Sequence, residues 1–391
     1  MEDQFRHRLL LFGRITMTKS EIYYFLGKCL ALGENEENDR KISGIISQKE
    51  VDWARFVALG SNHLVLPSVY LRFKRYGIQT IIPEELSEHL RMVYELNYNR
   101  NRAVLQQIDC INCLFASAGI VPIYLKGAGN LLDRLYEDEG ERMMSDIDLL
   151  VSDDEFLRAA NLLKGKGYEH AAPFYDDSQY FTKHYPRLHH PNEYAGIEVH
   201  RLPVETDLSS HFNYAVIKPE TKWIDSAFPC LVLSDRHKVI QNFMHGFMAN
   251  DVRLMHNVSY RNMVDLFLLS HRVDVYEVLA QQTKYAKKGL VYADQVHHSM
   301  GLSVKHISGL QSRFFIRRQD LFLSSNFLFR LSWLLTYLFT RFWSSYIKNA
   351  IGIFVSKQIR KSVFRSLSDP TWYKLHIQSW FITINQNFYL K

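Results

Sequence analysis

Hydrophobic and polar positions change their period several times along the chain. Between residues 20 and 118 apolar residues recur every three or four positions, the spacing of amphipathic helices. Ser47 to Glu50 has the form of a capping box ahead of Val51, Trp53, Phe56 and Val57. Pro83 opens a longer amphipathic stretch ending at Gly119, which as one unbroken helix would span about 50 Å. From residue 120 the period shortens. IVPIYLKG (120–127) reads as a short buried strand, GNLLDRLYED as a helix, DIDLLV as a second strand, and DDEFLRAANLLKGKGYE as another helix with Asp153 and Asp154 as its caps.

Residues 168–203 are rich in Tyr and His and carry Pro186, Pro191 and Gly196, which predicts a hairpin. Within it AGIEVH (195–200) alternates, so Ile197 and Val199 face one way and Glu198 and His200 the other. From Asp235 to about Met300 the pattern is helical again. These segments predict an α+β fold with a small mixed-sheet core over 119–205. A helical region (1–118) precedes the core, a second (206–304) packs on it, and a basic, aromatic region (305–391) follows.

The strand at 146–150 carries an anomaly. Asp146 and Asp148 share one face of an otherwise apolar segment, while Ile147 and Leu149 take the other. Paired carboxylates repel each other unless a cation lies between them, and hard oxygen ligands of this kind suit Mg²⁺ or Mn²⁺. Glu198 is the best-placed third acid. Three carboxylates can hold two ions about 3.5 to 4 Å apart, one activating an attacking oxygen and the other neutralising a triphosphate and its leaving group. Ahead of the acidic strand, the turn LKGAGN (125–130) joins a strand to a helix. Gly127 and Gly129 permit close backbone approach to a phosphate and Lys126 adds a point charge, although no Walker motif occurs.

The order LKG, a helix ending in LY, R-x-x-S-D-I-D-L-L-V, and then a strand with an acid followed by His resembles the uncharacterised nucleotidyltransferase family of the polymerase-beta-like superfamily. The resemblance runs from DWARFVALGSNHLVLPSVY to the helix bearing Arg261 and Asp265, roughly residues 45 to 270. It implies a nucleotidyltransferase core in which Asp146, Asp148 and Glu198 are the catalytic metal ligands. Lys126 and Gly127 would form part of the phosphate-binding turn. The superfamily turn is commonly Gly-Ser or Gly-Gly, whereas Ala128 follows Gly127 here, so Ser145 or Arg142 is the expected substitute for the missing hydroxyl. Glu stands where the superfamily's third acid is commonly Asp. The implied reaction moves a nucleoside monophosphate from an NTP to an acceptor (small molecule, protein or nucleic acid) and releases pyrophosphate. Two rivals share these residues: a D-x-D glycosyltransferase using a nucleotide sugar, and a non-catalytic nucleotide-fold protein docked on a membrane or polyanion.

Composition narrows the setting. A chain of 391 residues, 47% hydrophobic, has the length and apolar content for a folded, multi-segment protein. Four cysteines do not make a disulfide framework, which predicts a reducing, cytoplasmic setting. The N-terminus has a four-residue apolar run and no small-residue cleavage site, unlike a secretory signal. Cys110 and Cys113 form CINC inside a helical pattern and are expected to be small core residues; neither they nor the His pairs at 189–190 and 297–298 predict zinc. Charge is uneven. Residues 305–391 carry 13 Lys or Arg against 2 acids, or +11, so residues 1–304 carry 34 minus 39, or −5. That excess predicts membrane association or polyanion contact through 305–391, against the alternative of an aromatic helical cap on the core. Arg330 and Arg341 bracket ten uncharged residues, fewer than a spanning helix needs.

Overall fold

The computed structural model describes residues 17–48, 51–171, 183–249, 258–303 and 309–343, with 347, 350, 353–354, 360, 363–364, 368 and 373–374 beyond them. The described residues up to Arg317 form one compact unit and those from Arg318 a second. The chain is α+β: a seven-stranded mixed sheet with helices around it.

The first unit opens with four helices, α1 (Lys19–Leu30), α2 (Glu36–Ser47), α3 (Trp53–Asn62) and α4 (Leu66–Arg75). Ser47 closes α2 rather than capping α3. The cap of α3 is Asp52, whose side chain accepts from the Arg55 N–H at 3.0 Å, and Glu50 lies outside the described residues. A carboxylate directly before Trp53 satisfies that free backbone donor without the box. The long stretch after Pro83 is α5, Glu84–Ala116, one helix of 33 residues. Its apolar face, Val104, Ile108, Ile111 and Phe115, packs on the sheet in the central core. Cys110 and Cys113 are exposed, correcting the expectation that they fill the core. At 100° per residue they fall on the side of α5 opposite Ile108 and Phe115.

The sheet has the order β3-β4-β5-β2-β1-β7-β6. Its strands are β1 (Ile123–Tyr124), β2 (Asp146–Leu150), β3 (Glu169–His170), β4 (Leu188–His189), β5 (Gly196–His200), β6 (Lys222–Trp223) and β7 (Leu231–Val232). Central β2 runs antiparallel to β1 and parallel to β5. Between β1 and β2 lies α6 (Lys126–Leu132); after β2 comes α7 (Asp153–Lys164). Helix α7 is capped by Ser152 in a capping box with Glu155, not by Asp153 and Asp154. Those two acids occupy its first turn, where the helix dipole favours negative charge.

Ile147 and Leu149 of β2, with Ile197 and Val199 of β5, point into the core shared with α5 and α7. The later helices of this unit are α8 (Tyr214–Ile217), α9 (Asp235–Phe243) running into a π-helical turn at Met244–Met248, α10 (Tyr260–Ser270), α11 (Val275–Ala280) and α12 (Ala286–Ser299). On the opposite face α9, the π-helical turn and α10 share a cavity with the sheet. Helix α13 (Leu310–Ser324) leads into the second unit, which contains α14 (Asn326–Phe342). Among the described residues no single helix is long and apolar enough to cross a membrane; α13 and α14 reach that composition only as a pair, bent by 117°.

Candidate active site

The acidic face is assembled by strand register. Parallel β2 and β5 pair Asp146 with Gly196 and Asp148 with Glu198, so both strands put Asp148 and Glu198 side by side on the face away from the core. Two residues on, His200 points the same way and is fully buried. Its Nε2 stands 2.9 Å from Asp148 Oδ1 and 3.3 Å from Glu198 Oε2, and its Nδ1 lies 3.2 Å from the Leu202 carbonyl oxygen. Both ring nitrogens therefore face oxygen acceptors. A cation shared by Nε2 and the two carboxylates would fit that arrangement. One ligand atom from each of Asp148, Glu198 and His200 lies within 4.8 Å of the others, a candidate metal site.

Lys126 is delivered from the neighbouring strand. The Leu125 N–H donates to the Asp148 carbonyl at 2.9 Å, holding the end of β1 against β2. Lys126 then turns out of the sheet with φ of 47°, a conformation costly for a side chain with a Cβ. Its N–H donates to Gln241 Oε1 of α9 at 3.0 Å, and its ammonium donates to Asp148 Oδ1 at 2.6 Å. Gly127 and Gly129 sit inside α6 rather than in a loop ahead of it. A Cβ at 127 would stand 2.3 Å from Arg142 Nη1, and one at 129 would stand 2.5 Å from the Tyr124 carbonyl oxygen. Both glycines thus allow α6 to pack tightly against Arg142 and β1.

Lys126, Gly127, Arg142, Asp148 and Glu198 line a cavity of about 300 Å³ to which α9, the π-helical turn and α10 contribute Lys238, Gln241, Asn242, His245, Arg261 and Asn262, while His200 lies buried behind the two acids. Burial by itself would raise the Asp148 carboxyl, but the Lys126 ammonium and donation from His200 outweigh it and hold the group well below the usual carboxylate range. Glu198 is treated similarly. Burial raises it, donation from His200 lowers it, Asp148 raises it again, and the balance is downward. Both acids are therefore anionic at neutral pH. Among the residues from these helices burial pushes His245 down to about 3, with Lys126 adding to the effect, so that ring is neutral. Burial likewise lowers Lys238 to about 8 against the pull of Asp133.

The other sequence-predicted residues take different places. Asp146 lies at the rim, ion-paired with Arg187, and its Oδ2 accepts from Ser145 Oγ at 2.7 Å. That bond occupies the hydroxyl expected to substitute in the turn. Arg142 is buried and turns its guanidinium to Asp265: Nε donates to Oδ1 at 2.8 Å and Nη2 to Oδ2 at 2.7 Å, leaving Nη1 beside Gly127. His200 was legible as a neighbour, since it stands two positions after Glu198 on an alternating strand. Arg187 and His245 carried no local signal, because one is brought in by a hairpin and the other by a π-helical turn, and neither fits a spacing rule.

Residues 49–293 match the model of a family described as uncharacterised nucleotidyltransferase. No curated protein matches the chain. The matched span contains the sheet, the Asp148–Glu198–His200 cluster and the helices that roof the cavity, and it supports nucleotidyltransferase activity with an NTP substrate. By that match, over well more than half of its length, the chain belongs to the uncharacterised nucleotidyltransferase family.

Proposed function

We propose that the protein moves a nucleoside monophosphate from an NTP to an acceptor hydroxyl or phosphate and releases pyrophosphate, with Mg²⁺ or Mn²⁺ as cofactor. The observation that carries this reading is the in-register pairing of Asp148 with Glu198 around His200 Nε2, facing the cavity. Two anionic oxygens and an imidazole nitrogen fit a small divalent ion, and Mn²⁺ tolerates the nitrogen ligand better than Mg²⁺. Asp148, Glu198 and His200 would hold the ion, with Asp146 as a further acidic ligand at the rim. When bound, the ion supplies charge neutralisation to the triphosphate and acidifies the attacking hydroxyl.

The rest is the work of the chain's own groups. Lys126 has its ammonium on Asp148 at the cavity, where it would bind phosphate oxygens and offset the charge of the departing pyrophosphate. Arg261, contributed by α10, adds a second cationic contact of the same kind. The Arg142–Asp265 pair fixes the position of α6 and so of Lys126. Chemically, the acceptor oxygen forms a bond to the α-phosphorus, the bond from that phosphorus to the bridging oxygen breaks, and pyrophosphate leaves. Catalysis is positioning and charge neutralisation.

The test is transfer by the full chain, with Mg²⁺ or Mn²⁺ and extract from its native cell, from NTPs labelled at either the α- or the γ-phosphate. Label entering product from the α position alone is the expected result. Label entering from the γ position would mean phosphoryl transfer, and no transfer from either position while NTP still binds would overturn the assignment.

A further inference from the structure

Helix α14 carries an apolar stripe that is exposed among the described residues. Phe327, Leu331, Leu335, Phe339 and Trp343 recur at every fourth position and are 72%, 41%, 58%, 64% and 51% exposed. At 100° per residue the first four cover one arc of about 120°. The opposite arc holds Trp333 and Tyr337, both buried and stacked on each other with centroids 5.2 Å apart. Ser332, Thr336 and Thr340 lie along one border of the stripe. The helix is thus two-faced, with its larger apolar face outward.

The segment around this face is strongly cationic: residues 305–391 carry +11 in a chain whose remaining residues carry −5. It also lies beyond the span shared with the family, which ends at residue 293. Three occupants for the face are possible in principle, and charge and side-chain chemistry separate them. A second copy of the segment would bring like charge against like charge. A nucleic acid suits the charge and stacks on Phe and Trp, but it offers nothing to Leu331 and Leu335, which have no π-face. An anionic lipid surface takes both aliphatic and aromatic groups into its acyl boundary and the cations at its headgroups, with Trp343 placed for the interface.

We infer that α14 lies in the plane of an anionic bilayer surface, its Phe327–Leu331–Leu335–Phe339 face buried among the acyl chains. Lying in the plane, rather than spanning, follows from length and geometry. The 17 residues of α14 reach about 25 Å, short of the roughly 30 Å hydrocarbon core, and the preceding helix departs at 117°.

The full chain is tested by flotation with vesicles of phosphatidylcholine alone or doped with phosphatidylglycerol. It is expected to float with the doped vesicles, to lose most of that binding without the anionic lipid, and to be released by an alkaline carbonate wash. L331D/L335D should reduce partition about tenfold or more, while L331F/L335F retains it. Because both leucines are exposed, folding of the variants is followed by circular dichroism. A second readout, quenching of tryptophan fluorescence by brominated lipid, should lose a component in W343F. Binding to vesicles that L331D/L335D leaves unchanged would overturn the inference, as would resistance to the carbonate wash, self-association as the only consequence of the face, or salt-sensitive binding to RNA with none to vesicles.

Discussion

Two buried acids on the wall of one cavity, Asp148 and Asp265, have opposite surroundings. Asp265 is saturated. Arg142 donates to both of its oxygens, and Oδ1 also accepts from Tyr136 at 2.7 Å and Asn130 at 3.0 Å. Its charge is cancelled by one dedicated guanidinium that is itself buried. Asp148 instead stands in register with a second acid, Glu198, and meets a lysine ammonium and an imidazole. Lys126 lines the cavity and is partly exposed, whereas Arg142 is closed away on Asp265. A closed, neutral pair holds structure, whereas a pair of like charges facing a cavity is the arrangement on which the proposed cation site rests.

The sharpest way to break this comparison is to treat both acids alike. Asp148→Asn is expected to lower nucleotidyl transfer by roughly a thousandfold or more while circular dichroism shows the fold retained. An active D148N enzyme would end the catalytic reading of the strand pair. Asp265→Ala acts first on stability, and on transfer only through the position of α6. It strands the Arg142 guanidinium without a partner and should cost on the order of 3–5 kcal/mol in urea unfolding, most of it recovered in R142M/D265L. If D265A unfolds at the same urea concentration as the parent, the pair is not the structural element described here.

A third acid sharpens the contrast through pH. Burial pushes the Glu141 carboxyl from its ordinary 4.5 up to about 7, against Arg72 and Arg75 and with help from Asp138 and Glu137. Between those values the folded chain holds a proton that the unfolded chain releases. The stabilisation is therefore complete below pH 4.5 and lost as pH rises through 7, a change on the order of 3 kcal/mol. Unfolding measured across this window should slope downward in the parent and flatten in E141Q. The smallest effect belongs to the exposed cysteines: C110A/C113A should shift unfolding by no more than about 0.5 kcal/mol, whereas a core or metal role would cost far more.

Much of the architecture could be read from periodicity. The 33-residue helix after Pro83, the acidic strand at 146–150 and the alternating strand at 196–200 all stand where the pattern predicts them, because each depends on side chains within a few positions of one another. Helix starts were less legible. Asp52 rather than Ser47 begins α3, and Ser152 rather than Asp153 or Asp154 begins α7, since several nearby polar residues were chemically competent to cap and packing chose among them. Cys110 and Cys113 show the same limit: their type suggests burial, but helical phase puts them outside.

By itself the sequence determined that two carboxylates share a strand face, that a third acid and a histidine share another, and that the last segment is basic and aromatic. These are consequences of residue order and of the two-residue period of a strand. Tertiary structure alone decided that β2 and β5 are adjacent and in register, and so that Asp148, not Asp146, joins Glu198 and His200. It also turned Arg142 to Asp265, 123 positions away. An arginine's spacing along the chain carries no record of which distant carboxylate will be buried beside it, because that partner is fixed by how helices close over the sheet.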